Sequence, residues 1–257
     1  MTYNDEAPRT TNIEYWLDNE SEVVLPPGSG SVLAVAAHPD DIESECAGTL
    51  ALAARSGCEV RLLLVTSGDD GSGKRDASWT SDATSPRELE AVAAAAVLGL
   101  TEVAFLRYPD GSVENSLALR REIVLAIRTW RPAHVFTYDP EFTLPLYVSH
   151  PDHRAVGRAT LDAIYPHARY DGAFPDQLGP VIRSHVVASA WLFASAFGSK
   201  YVDIADAFER KVEARLKHGS QSLEPAKLRA NWEARALRTG QRAGLDAAEA
   251  FTVITLI

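Results

Sequence analysis

Apolar positions along the chain fall into short dense blocks separated by longer segments with helical spacing. Ser31–Ala37 (SVLAVAA) and Glu59–Thr66 (EVRLLLVT) are almost wholly apolar. Such runs suit strands buried on both faces, as in a parallel sheet. Glu102–Leu106 and His134–Thr137 are the third and fourth strand candidates. Between them, Asp41–Arg55 has a helix-forming composition and stops at Gly57, a natural terminator. Pro86 stands where a helix can begin, and Arg87–Leu98 is rich in Ala, Glu and Leu. Ser116–Trp130 places Leu119, Ile123, Ile127 and Trp130 at helical spacing, and Arg154–Ala168 is a further helix-like run. Strand and helix in alternation predict βαβ crossovers. The expected fold class is therefore α/β: a Rossmann-like, mainly parallel sheet with helices on both faces. After residue 180 the pattern weakens. Val181–Leu192 and Lys200–Asp203 fit strands, while Phe208–His218 and Glu224–Thr239 fit helices, giving an elaborated C-terminal part. With no repeat and no clear linker, residues 31–257 are expected to form one domain. Residues 1–30 form a polar N-terminal arm that ends in Pro26-Pro27-Gly28-Ser29-Gly30, strong turn punctuation.

In open α/β sheets, ligands bind beyond the carboxyl ends of the strands. Chemistry is thus expected just after Ala37, Thr66, Phe105 and Thr137. The first strand is followed directly by His38-Pro39-Asp40-Asp41-Ile42-Glu43, one imidazole and two adjacent carboxylates. His and Asp are both standard zinc ligands. In a first helical turn, neighbouring side chains diverge by about 100°. One carboxylate can then bind a metal while the other points at water or substrate. A second cluster, Ser149-His150-Pro151-Asp152-His153-Arg154, follows the fourth strand and opens a helix. It belongs on the same rim as His38. Two histidines and a carboxylate with a fourth position open describe a hydrolytic zinc site, whose bound water has a pKa near ~7. Asp152 reads as an N-cap for the following helix. Asp40 could also act as a cap, and Asp110, in Pro109-Asp110-Gly111, could be a turn residue.

Composition narrows the field. The formal net charge is −10, with no stretch of the length a bilayer requires. An acidic surface disfavours nucleic acid and anionic membranes as partners. The two cysteines, Cys46 and Cys58, form no CxxC pair, so neither a disulfide framework nor a cysteine-rich metal site is expected. No basic segment followed by an apolar one opens the chain, and the cytoplasm is the default compartment. The glycine-rich 71–74 segment (GSGK) lacks the full phosphate-loop spacing. The loop through Gly71–Ser85, with Trp79, could cover the site, as could the arm carrying Trp16.

The run AHPDDIE, then TSGD, Arg87-Glu88-Leu89-Glu90, LRYPDG and HPDHRAVG resembles the PIG-L/LmbE-like de-N-acetylase family. The resemblance extends from about Ser31 to about Gln221, including VDIADAFERKVEARLKHGSQ. Members of that family deacetylate GlcNAc-phosphatidylinositol, mycothiol and bacillithiol precursors, chitobiose and glycopeptide antibiotics. The resemblance implies one zinc ion per chain, held by His38, Asp41 and His153. It implies Asp40 as general base and His150 as general acid or oxyanion stabiliser. Arg87 and Asp110 match positions near the family's substrate pocket. The expected reaction is hydrolysis of an N-acyl, normally N-acetyl, amide on an amino-sugar-like small molecule. Fe²⁺ or Co²⁺ could replace zinc, because a His₂Asp site selects weakly between them. Ser44, Glu45 and Ala47 depart from the family pattern: Ser44 replaces an apolar residue, and Glu45 and Ala47 replace glycines. Two alternatives stay open, a metal-dependent amidase or phosphoesterase and a non-catalytic metal-dependent sugar-binding protein. The sequence does not decide between monomer and homo-oligomer.

Overall fold

The computed structural model describes residues 21–69, 85–141, 149–222 and 224–256. In chain order the elements are β1 (Glu22–Val23), β2 (Ser31–Ala36), α1 (Asp41–Glu45), α2 (Ala47–Arg55), β3 (Glu59–Thr66), α3 (Pro86–Leu98), β4 (Glu102–Tyr108), α4 (Leu117–Trp130), β5 (His134–Tyr138), α5 (Pro151–Asp162), β6 (Ser189–Phe193), β7 (Lys200–Asp203), α6 (Phe208–Lys217), α7 (Pro225–Gln241) and β8 (Ala248–Thr255). The eight strands form one sheet in the order β1-β7-β8-β6-β5-β2-β3-β4. Every pairing is parallel except those of β8, which runs antiparallel to both β6 and β7. The architecture is the α/β, mainly parallel sheet that the sequence pattern predicts. Helices α2, α3 and α6 pack together, while α4 and α5 form a separate layer. No helix among the described residues is long and apolar enough to cross a membrane.

The apolar runs are central strands because both their faces are covered. In β2, Val32 to Ala36 are all buried. A second apolar layer joins Phe136 and Trp191, stacked at 5.1 Å, with Phe251 packed edge-on against both. The sheet turns at β2. From it the chain runs outward through β3 and β4, then returns to the other side through β5 and β6. The carboxyl ends of β2 and β5 therefore flank the topological switch point, where such sheets open a crevice.

Five segments differ from expectation. Asp41–Arg55 is two helices rather than one, broken at Cys46 (φ −141°, ψ 7°). The carboxylate of Glu249, arriving on β8, accepts from the Gly48 and Thr49 N–H groups and the Thr49 hydroxyl, and pairs with Lys211 at 2.5 Å. Those donors are the unsatisfied start of a new helix. The α5 segment ends at Asp162, and Tyr165, which precedes Pro166, is extended (φ −140°, ψ 124°), as the residue before proline prefers. Val181–Leu192 is strand only from Ser189, with Val181 exposed. The edge pairing of Glu22–Val23 with β7, and all of β8, carry no sequence signal recognised above.

Helix α5 approaches β5 at Gly157. A Cβ there would lie 2.6 Å from the Tyr138 carbonyl oxygen, a backbone atom that cannot swing aside. Gly157→Ala is expected to destabilise the fold by about 1–3 kcal/mol through overpacking. Thermal unfolding of the two proteins checks this, and an unchanged Tm would show that α5 has room to move.

Candidate active site

The tight turn after β2 delivers His38, and α1 opens three residues later with Asp41. The Asp41 carboxylate folds back to accept from the His38 backbone N–H at 2.7 Å. His153 comes from the first turn of α5 and stacks on Tyr138, with ring centroids 4.1 Å apart and planes 12° apart. These elements bring three potential ligand residues together, with Asp41 facing the two histidines through different carboxylate oxygens. His38 Nδ1 lies 3.3 Å from His153 Nε2 and 3.5 Å from Asp41 Oδ2, and His153 Nε2 lies 3.3 Å from Asp41 Oδ1. A tetrahedral metal with bonds of about 2.0–2.1 Å sets its ligand atoms roughly 3.3–3.4 Å apart. The spacing fits that demand.

The opposite side of the His38 ring fixes its tautomer. Nε2 lies 3.0 Å from Asp110 Oδ1 and 3.1 Å from Asp152 Oδ2. Ionised carboxylates only accept, so Nε2 carries the proton and the neutral ring presents the Nδ1 lone pair to the metal position. His38, Asp110 and Asp152 could in principle hold a cation themselves. Asp152, however, is already occupied, accepting from Gly111 N–H at 2.8 Å and Val113 N–H at 3.0 Å. That side is support rather than site. Burial opposes a charge on His38, but the Asp41, Asp110 and Asp152 carboxylates outweigh it and push its pKa up to about 12. The surroundings are built to hold positive charge. Burial likewise opposes ionisation of Asp41, but His153 and His38 hold its carboxyl well below the usual range.

Asp40 occupies the N-cap position of α1 with a left-handed backbone (φ 94°) and makes no side-chain cap hydrogen bond. A non-glycine residue held there costs on the order of 1–3 kcal/mol and points to a functional constraint. Its carboxylate is gripped instead by two guanidiniums, Arg87 Nη2 at 3.2 Å and Arg215 Nη2 at 3.1 Å. Burial first, then the Asp41 charge, raises its pKa to about 6 against the pull of Arg215 and Arg87. His150, the N-cap of α5, accepts from Asp152 N–H through Nδ1 at 3.2 Å. Its neutral ring therefore carries the proton on Nε2. Burial, then the nearby His38 charge, lowers its pKa. One ring nitrogen from each of His38, His150 and His153 lies within 4.8 Å of the others.

Beyond Asp40 and His153 opens a cleft of about 690 Å³, walled by Tyr138, Arg215 and helix α7. The structure thus brings His38, Asp40, Asp41, His150 and His153 to one rim and revises several neighbours. Arg87, expected near the substrate pocket, does not line the cleft. It donates to Gly68 and Pro39 carbonyls and to Asp40, while Glu88 pairs with Arg107. Asp110, expected near substrate, faces His38 Nε2 from behind. Asp152 is no N-cap, for the same reason. Glu43 is buried 3.4 Å from His218, which is itself fully buried. Sequence reasoning missed Arg215, Tyr138 and the α7 wall. The first two sit in stretches that carry the family resemblance, but nothing in their local pattern marks them. The Gly71–Ser85 loop up to residue 84, with Trp79, and Trp16 lie outside the described residues.

Supporting carboxylates of this kind typically set metal affinity by 10–100-fold. Asp152→Asn is expected to weaken metal binding by about that factor, measured by competition with a chromophoric chelator. Unchanged affinity would remove Asp152 from the support of His38.

Comparison with known proteins identifies the family. The family model described as GlcNAc-PI de-N-acetylase (PIG-L) matches residues 33–164. The chain is 31% identical over 193 residues to the diacetylchitobiose deacetylase of Thermococcus kodakarensis, covering 75% of this chain and 70% of that one. It is 28% identical over 197 residues to a probable N-acetyl-alpha-D-glucosaminyl L-malate deacetylase of Bacillus cereus, covering 74% and 83%. Among solved structures, the N,N'-diacetylchitobiose deacetylase of Pyrococcus horikoshii superposes with a TM-score of 0.79 at 25% identity, over 90% of this chain and 86% of that one. The family match spans about half the chain, a stretch that includes His38, Asp41 and His153, and the chain belongs to the PIG-L family.

Proposed function

We propose that the protein is a zinc-dependent hydrolase that removes the acetyl group from the amine of an N-acetylated amino sugar. One observation carries the reading: a carboxylate outside the ligand trio, Asp40, is held in a strained backbone by two guanidiniums beside three convergent potential ligand residues, His38, Asp41 and His153. The deacetylase relatives support the substrate class. His38 Nδ1, the Asp41 carboxylate and His153 Nε2 would hold the ion. Zinc bound there supplies a Lewis acid and brings the pKa of water to about 7. The donor set does not select strongly against Fe²⁺ or Co²⁺.

The chain's own residues do the rest. Asp40, fixed by Arg87 and Arg215, accepts a proton from the attacking water. The new bond runs from that water oxygen to the amide carbon. His150, with its proton on Nε2, donates to the amide oxygen as negative charge develops there. Asp40 returns its proton to the nitrogen as the C–N bond breaks, leaving a free amine and acetate. Each positioned acid or base typically contributes 10²–10⁴-fold. The cleft beyond Asp40 is where the rest of a small-molecule substrate would lie.

Acetate release from a panel of N-acetyl amino sugars by zinc-loaded protein tests the reading, with His38→Ala alongside. Release that vanishes in the variant is expected. Release from none of the sugars, with stoichiometric zinc bound, would overturn it. Asp40→Asn is expected to lower kcat by about 10²–10⁴-fold with zinc content unchanged, since asparagine tolerates the left-handed region. Turnover near that of the parent would take Asp40 out of the base role.

A further inference from the structure

Tyr138 is the last residue of β5, and the reaction leaves it without a role. It is buried, yet it lines the cleft. Three neighbours fix its ring. Phe193, its register partner on β6, packs edge-on with centroids 4.6 Å apart. On the α5 side, Gly157 lets the helix approach so closely that a Cβ there would lie 3.2 Å from the Tyr138 Cβ. His153 stands four residues before Gly157, one turn away on the same helix face. Its imidazole lies flat on the phenol ring, with centroids 4.1 Å and planes 12° apart. Glycine at 157 thus brings α5 down far enough for residue 153 to meet the ring. Aromatic pairs hold defined geometries, so the phenol ring sets the plane of a potential ligand imidazole.

The hydroxyl serves a second ligand. It is fully enclosed and completes no hydrogen bond among the described residues. Burial first, then the Asp41 charge, push its pKa well above the usual phenol range, so the group keeps its proton. Glu45 and Asp40 are the other carboxylates whose charges reach it, and both are already engaged. Arg235 grips Glu45 with two prongs, at 3.1 and 2.6 Å, and Arg87 and Arg215 hold Asp40. Asp41 accepts from the His38 backbone N–H through Oδ2 and has lone pairs to spare. A buried hydroxyl short of a partner costs stability, so its presence points to a use.

We infer that Tyr138 is the positioning residue for two of the three metal-binding side chains, its ring setting the plane of His153 and its hydroxyl donating to Asp41. The inference rests on the metal reading above and deepens it. His38 is braced from behind by Asp110 and Asp152, and Tyr138 braces the other two from the end of β5. Because the hydroxyl is enclosed, it does not reach a substrate and gives no proton to the reaction.

The test uses the full chain, with Zn²⁺ and Co²⁺ as probes. Tyr138→Phe keeps the ring and removes only the hydroxyl. Its Zn²⁺ affinity, by competition with a chromophoric chelator, is expected to fall about tenfold, the lower end for groups that support a ligand. The ligand-field bands of its Co²⁺ form should differ from those of the parent. The Tm of the metal-free variant should hold or rise, because the deleted hydroxyl is short of a partner. Tyr138→Leu, which removes the ring as well, should weaken Zn²⁺ binding further, towards about 100-fold. Affinity and Co²⁺ bands that Tyr138→Phe leaves unmoved overturn the hydroxyl's part, whatever happens to Tm. A Leu variant that binds as tightly as the Phe variant overturns the ring's part. Loss of kcat in Tyr138→Phe at saturating zinc, with affinity unchanged, makes the hydroxyl a group in the reaction and overturns the positioning role. A parent that binds no Zn²⁺ overturns the metal reading and this inference together. A parent whose Zn²⁺ binding depends on Tyr138 but which releases no acetate keeps the inference and removes the hydrolytic reading.

Discussion

A single buried carboxylate, Asp152, holds the site in register. It is fully buried and accepts from the Gly111 and Val113 backbone N–H groups and from His38 Nε2. Those three donors belong to the loop after β4 and the turn after β2, and Asp152 itself sits in the first turn of α5. An ionised group in such a place is tolerable only with its hydrogen bonds filled. Satisfying Asp152 therefore requires all three segments to be where they are. His153, the next residue, is then delivered to the far side of the His38 ring. The metal position is a consequence of this knot, because the two imidazoles can meet only if Asp152 reaches past one of them.

Much of this was legible from residue order. The apolar blocks at Ser31 and Glu59 announce buried parallel strands because both faces of a central strand must be apolar, and the switch-point rule then places His38 and His150–His153 on one rim. What the order cannot carry is which way a polar side chain turns. Asp152 at a helix start looks like a cap, yet His150 takes that role and frees Asp152 to turn inward. Asp110 in a proline-glycine turn looks like a turn residue or a pocket residue, yet it backs His38. Arg215 lies 174 positions after Asp41 in a helix that reads as amphipathic; its ion pair with Asp40 follows from how α6 packs on α1, a tertiary fact. Glu249 is similar. One carboxylate near the end of the chain breaks a predicted helix at Cys46 by offering its N–H groups a better acceptor.

The charge balance links these details to chemistry. Four carboxylates, Asp40, Asp41, Asp110 and Asp152, cluster around His38 and His153 with two guanidiniums, Arg87 and Arg215, both directed at Asp40. With neutral imidazoles the cluster is two charges short of neutrality. A divalent cation between His38, Asp41 and His153 closes that gap. Both guanidiniums are engaged by Asp40. In the proposed reaction, Asp40 would keep a negative charge stabilised by Arg87 and Arg215, which suits a group that takes a proton and gives it back. A neutral amide can then enter a site whose own charges cancel, and the only charge that develops during reaction is the one the site is arranged to meet.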